Sequence, residues 1–124
     1  MRLLVWCALL VSLVVQVVGL YSGTVPGPES LTRLDKINHL VGFAVPAALA
    51  WWLGARWIVG VLVLHALVSE PLQGWLASLR HPDVLDTVAD LLGLAVGVGV
   101  VEWLRRARTR RSAMMGEDGG HGRG

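Results

Sequence analysis

Four stretches of the chain are long and apolar, and the polar residues that interrupt them gather toward particular ends. LLVWCALLVSLVVQVVGL (residues 3–20) carries no charge. INHLVGFAVPAALAWWLGA (37–55) has its polar positions at the start, whereas the third stretch, 57–76, has Ser69, Glu70 and Gln73 near its close. DTVADLLGLAVGVGVVEWL (86–104) again opens on carboxylates. Crossing the hydrocarbon core takes about 20 mostly apolar residues as a helix. No stretch alternates with period two, which disfavours a transmembrane barrel. The pattern therefore predicts an all-α integral membrane four-helix bundle, with helices at about 3–21, 37–54, 57–76 and 86–104. Residues 105–124 follow as a basic, then Gly-rich, tail expected to be disordered.

Helical spacing refines the polar pattern. At about 100° per residue, Asp35, His39, Gly42 and Pro46 share one face of the second helix, and Asp86, Asp90, Gly93 and Gly97 share one face of the fourth. A carboxylate stripe that continues as a stripe of small residues points inward, because glycines let a neighbouring backbone approach. Ser69, Glu70 and Gln73 fall on one arc of the third helix. With short links between helices, Asp35, Lys36, His39, Glu70, Gln73, Arg80, Asp83, Asp86 and Asp90 are all expected at the same end of the bundle. Isolated ionised groups in hydrocarbon cost several kcal/mol, at a contested figure. Lys36, Arg80 and His39 are the expected partners of the carboxylates. Two readings fit such a cluster: a salt-bridge network that locks the helices, or a wet pocket that binds or transforms something.

Composition and charge set the orientation. A 54% hydrophobic, 16% charged chain with mean hydropathy +0.59 has too little charge to cover a small soluble domain. With four spans, Arg2, Arg56 and the arginines at 105, 106, 108, 110, 111 and 123 share one side, against Arg33, Lys36 and Arg80 on the other. The positive-inside bias places both termini in the cytoplasm. Trp6, Trp51, Trp52, Trp57 and Trp103 at the inner ends, with Tyr21 and Trp75 at the outer ends, match interfacial belts. RRARTRR (105–111) reads as a topology signal and anionic-lipid anchor; with no aromatic interleaving, nucleic acid is not an expected partner. Cys7 is the only cysteine, which excludes an internal disulfide or a cysteine-rich zinc site. A cleaved signal peptide is the alternative for the first stretch, but its apolar run is longer than a typical signal core. Gln16 there is expected to donate between helices, and His65 to be a hydrogen-bonded packing residue.

The run Asp35-Lys36-x-x-His39, then Ser69-Glu70-x-x-Gln73, then Arg80, Asp83, Asp86, Asp90 and Gly93 resembles the VanZ-like family of small membrane proteins. That family shows a similar D-K-x-x-H, E-x-x-Q and R-x-x-D-x-x-D-x-x-x-N-x-x-G in this order, and the likeness covers roughly residues 34–97. One departure is Asp90, where the family usually has Asn. The resemblance implies a bacterial plasma membrane, a cluster facing the cell wall and a link to teicoplanin-type glycopeptide resistance. No cofactor follows from the residues, and no metal site is expected. Three functions compete. One is binding of a cell-wall or lipid-linked ligand. Another is catalysis on a lipid head group, with Asp35 orienting His39 as base, Glu70 as acid, and Asp86, Asp90 and His39 as an oxygen-rich cation site. The third, a proton-coupled exporter, is disfavoured because the first helix carries no carboxylate.

Overall fold

The computed structural model describes residues 1–21, 29–76 and 83–118, with side chains for 1–21, 36–72, 75 and 83–115. These residues form four α-helices: α1 (Arg2–Tyr21), α2 (Glu29–Leu53), α3 (Arg56–Leu76) and α4 (Val84–Asp118). α2 touches all three others and packs most extensively on α4.

Contacts fix the directions. Lys36 and His39 of α2 meet Asp86 and Asp90 of α4, while Trp51 of α2 meets Glu102 of α4, so α2 and α4 run in parallel. α3 runs against α4, with Glu70 beside Asp83 and Ser69 beside Asp90. α1 runs against α2, because Met1, Arg2 and Val5 lie beside Trp52 and Leu53. The start of α1, the α2–α3 turn and the Arg-rich part of α4 thus share one end of the bundle. The acidic cluster occupies the other.

The α2–α3 turn follows from Gly54. Its φ of 79° is open to glycine and strained for other residues. The Ala55 amide donates to the Ala50 carbonyl at 2.9 Å and the Gly54 amide to the Trp51 carbonyl at 3.1 Å, the paired bonds of a Schellman cap. Between α2 and α4, small residues replace large ones. A Cβ at Gly93 would run into the Leu40 carbonyl, and one at Gly97 into the Ala44 carbonyl.

Phe43, Ala47, Ala50, Leu62, Ala66 and Leu94 belong to the core, and the outer faces stay apolar. Leu10 and Val14 of α1, Val41 of α2, Leu64 of α3 and Leu92 of α4 are all exposed. Arg2–Tyr21 and Val84–Met115 are long and apolar enough to cross a membrane.

Two expected boundaries move. α2 starts at Glu29 rather than near 37, and α4 continues to Asp118 rather than ending near 104. The tail through Asp118 is therefore helical rather than disordered. Arg105 explains part of this: its Nη2 donates to the Trp51 and Trp52 carbonyls at 3.0 and 3.2 Å, anchoring α4 on the end of α2. Arg108 then stacks over the Trp52 ring, 5.0 Å from its centroid. Residues 119–124 lie outside the described residues.

Candidate functional site

The acidic end is assembled from three helices. α4 begins with its own cap: Asp83 Oδ1 accepts from the Leu85 amide at 2.9 Å, satisfying a donor that has no partner within the helix. The other Asp83 oxygen accepts from Lys36 Nζ at 2.7 Å, and the Asp83 amide donates to Glu70 Oε2 at 2.6 Å. One residue thus ties the starts of α2 and α4 to the end of α3.

Deeper in, Lys36 Nζ donates to Asp86 Oδ1 at 3.0 Å, while Asp86 Oδ2 lies 3.9 Å from His39 Nε2. His39 Nδ1 is 2.9 Å from Asp90 Oδ1. Ser69 Oγ donates to the Ala66 carbonyl at 3.0 Å and lies 3.5 Å from Asp90 Oδ2. His39, Ser69, Glu70, Asp86 and Asp90 are all buried; Lys36 and Asp83 reach solvent at the rim. The path Asp83–Lys36–Asp86–His39–Asp90–Ser69 therefore runs from the surface into the bundle.

At the rim the charges are mutually tuned. The Lys36 ammonium is held above the ordinary lysine range, chiefly by its hydrogen bond to Asp83 and further by Asp86, against a smaller opposing effect of burial. The Asp83 carboxyl is held below the ordinary aspartate range, first by Lys36 and then by the Leu85 amide. A depressed carboxyl contributes stability above its unfolded pKa and loses it as pH falls through the folded value; a raised amine loses its contribution as pH rises through its folded value. The pair accordingly stabilises the fold between about pH 4 and pH 10, by up to about 1 kcal/mol at this exposure. Lys36→Met is expected to destabilise near neutral pH and to match wild type increasingly closely below about pH 3. Unfolding curves of both proteins across pH 2–8 check this; an equal deficit at both extremes would show that the loss is packing, not charge.

The expected convergence is found for Lys36, His39, Glu70, Asp83, Asp86 and Asp90, which the fold brings together. The side chains of Asp35 and Gln73, and Arg80 altogether, lie outside the described residues. Across the α2–α4 interface His39 is paired with Asp90; the expected orienting role of Asp35 lies outside the described residues. The proposed cation site of His39, Asp86 and Asp90 does not form: the imidazole turns its two nitrogens to different carboxylates. Among the described residues no three His, Cys, Asp or Glu side chains are placed to hold a metal ion. His65 packs as expected, with Nε2 3.2 Å from Tyr21 Oη and its ring 5.6 Å from that of Phe43.

A second feature adjoins the cluster. Residues 12–20 of α1 and 38–46 of α2 line a groove of about 380 Å³, within the size range of small-molecule clefts. Gln16 lines it and is only 5% exposed, yet neither amide atom has a hydrogen-bond partner among the described residues. The expected interhelical bond from Gln16 is not made among the described residues. Sequence spacing could not reveal the groove, because it arises from Gln16 lying beside Gly42 on a different helix. The one available signal was an amide in an otherwise uncharged apolar helix.

Comparison with family models, with curated proteins and with solved structures returned no match.

Proposed function

We propose that the chain is a VanZ-like, multi-pass protein of the bacterial plasma membrane. In this reading all four helices span, both termini are cytoplasmic, and the acidic end faces outward as a pocket for a cell-envelope or lipid-linked ligand, with a connection to teicoplanin-type glycopeptide susceptibility. One observation carries it: a buried polar path joins three helices at a single end of the bundle, while the surrounding helix faces are apolar. Burying three carboxylates, Glu70, Asp86 and Asp90, is costly unless they are paired, and a ligand site is a reason to keep them.

Expression in a glycopeptide-susceptible host tests the function. Glu70→Ala, Gln73→Ala and Asp86→Ala, each at normal protein level, are expected to shift the inhibitory concentration of teicoplanin relative to wild type. Loss of one charge-assisted contact to a ligand corresponds to about a tenfold change in binding. Unchanged susceptibility in all three would remove this function. Orientation is tested separately in a Cys7→Ser background: a cysteine at Asp83 should react with a membrane-impermeant maleimide from outside, and one at Arg110 should not.

Catalysis on a lipid head group is the second reading, favoured by the His39–Asp90 pair at 2.9 Å, a geometry that fixes an imidazole tautomer for base catalysis. Incubation with polyprenyl phosphates and envelope lipids, with and without magnesium, distinguishes it. Unchanged substrates in every condition would leave binding.

A further inference from the structure

We propose that the groove between α1 and α2 holds one uncharged lipid with a free hydroxyl beside an ester carbonyl, a diacylglycerol. Its glycerol lies at Gln16 and an acyl chain runs past Val45, an assignment that rests on the membrane reading above and concerns the groove rather than the acidic cluster.

Gln16 is the pointer to a ligand. Its amide nitrogen and oxygen are both buried, and both lack a hydrogen-bond partner among the described residues. A buried amide in that state is costly, and leucine would fill the position without the cost. The open space beside Gln16 is the groove it lines. Gly42 stands across from it, where a Cβ would come 3.9 Å from Gln16 Cγ, so a larger side chain at 42 would take up this space. The terminal torsion of glutamine is soft, and a small turn presents the carboxamide to whatever fills the groove. There it needs an acceptor for Nε2–H and a donor for Oε1. A diacylglycerol offers both from neighbouring carbons, an ester carbonyl and a hydroxyl; a simple long-chain alcohol has a single oxygen for the two.

The rest of the lining selects against charge. His39 is the one ionisable side chain among the described residues that line the groove, and its two ring nitrogens face Asp90 and Asp86. Ser12 Oγ is engaged within its own helix, donating to the Leu9 carbonyl at 2.8 Å. An ionised head group at the level of Gln16 would therefore meet no free counter-charge among these residues, which is costly in hydrocarbon. Gly42 lies six residues beyond Lys36, about 9 Å along α2. The carboxamide thus sits below the charged rim, where a small neutral head can follow and a phosphate would have to leave water. Val15, Val41 and Val45 are exposed along the groove and give an acyl chain its apolar wall.

The test is native mass spectrometry of the full chain in detergent, after exchange against diacylglycerol, its acetyl ester and phosphatidylglycerol at equal concentration and with identical acyl chains. Wild type is expected to retain diacylglycerol about tenfold better than either competitor, equivalent to about 1.4 kcal/mol. Gln16→Leu should abolish that preference. Gly42→Leu, which keeps the amide but fills the groove, should lower retention of all three lipids. Thermal unfolding separates binding from packing: diacylglycerol should raise the melting temperature of wild type and leave that of Gln16→Leu unchanged. Without lipid the leucine variant should be at least as stable as wild type, since it has no amide to bury. Equal retention of the three lipids by wild type, or the wild-type preference in Gln16→Leu, overturns the proposal. So does a leucine variant that is less stable without lipid, because the amide would then have a partner within the fold. A polyprenol that displaces diacylglycerol at equal concentration overturns it as well, the single-oxygen head being the better fit. Removal of the protein from membranes by alkaline carbonate would instead overturn the membrane reading; membrane-retained protein that binds no diacylglycerol overturns this inference alone.

Discussion

Alanine at Gly93 or Gly97 is expected to destabilise the protein by about 1–3 kcal/mol, the usual cost of overpacking a close interface. The same substitution at Gly60 or Gly99 should be neutral or stabilising by up to about 1 kcal/mol, from helix propensity. All four glycines are helical, so intrinsic propensity favours alanine at each. What differs is the space outside. Nothing lies within 4 Å of a Cβ at Gly60 or Gly99, whereas at Gly93 and Gly97 the obstacle is a backbone carbonyl of α2. A side chain could rotate away; a helical carbonyl cannot without moving its helix. The added methyl therefore pushes α4 from α2, and this is the most extensive interface in the bundle. It also carries the His39–Asp90 and Lys36–Asp86 contacts, so separation should loosen the polar cluster as well. Unfolding of the four alanine variants in a denaturing detergent measures the contrast. Equal behaviour of all four would mean that the close approach contributes little to stability.

That close approach was legible in the sequence. Asp86, Asp90, Gly93 and Gly97 follow helical spacing, and all four are buried in the fold. Periodicity exposes such a face because one helix sets it alone. Apolar length served less well at the ends. The polar segment before residue 37 and the arginines after 104 lack an apolar run, yet both belong to helices. Arg105 anchors the second of these on carbonyls of α2, a contact between distant positions that spacing cannot supply. His39 shows the same limit. Its contact with Asp90 joins positions 51 apart. Residues that share an end of the bundle could be gathered from topology. Which of them touch was set by packing.

Asp90 is where the second large effect is expected. It is fully buried, and its carboxylate meets the His39 ring at 2.9 Å and the Ser69 hydroxyl at 3.5 Å. Asp90→Ala would remove the carboxylate that faces His39 Nδ1 in a closed site, at about 3–5 kcal/mol for a broken buried pair. Asp90→Asn keeps the shape and an oxygen that accepts from His39 Nδ1–H. It gives up the charge and with it the cost of holding a carboxylate away from water. The asparagine variant should therefore lie within about 1 kcal/mol of wild type, the net worth of a single neutral hydrogen bond. A double-mutant cycle with His39→Ala adds the decisive quantity. Residues in direct contact couple by about 0.5–3 kcal/mol, and Asp90 with His39 should fall near the top of that range, with the asparagine–histidine pair lower. Alanine as mild as asparagine would mean that the pair does not hold α2 to α4. Should asparagine preserve stability yet change teicoplanin susceptibility or lipid retention, the charge at position 90 serves the ligand rather than the fold.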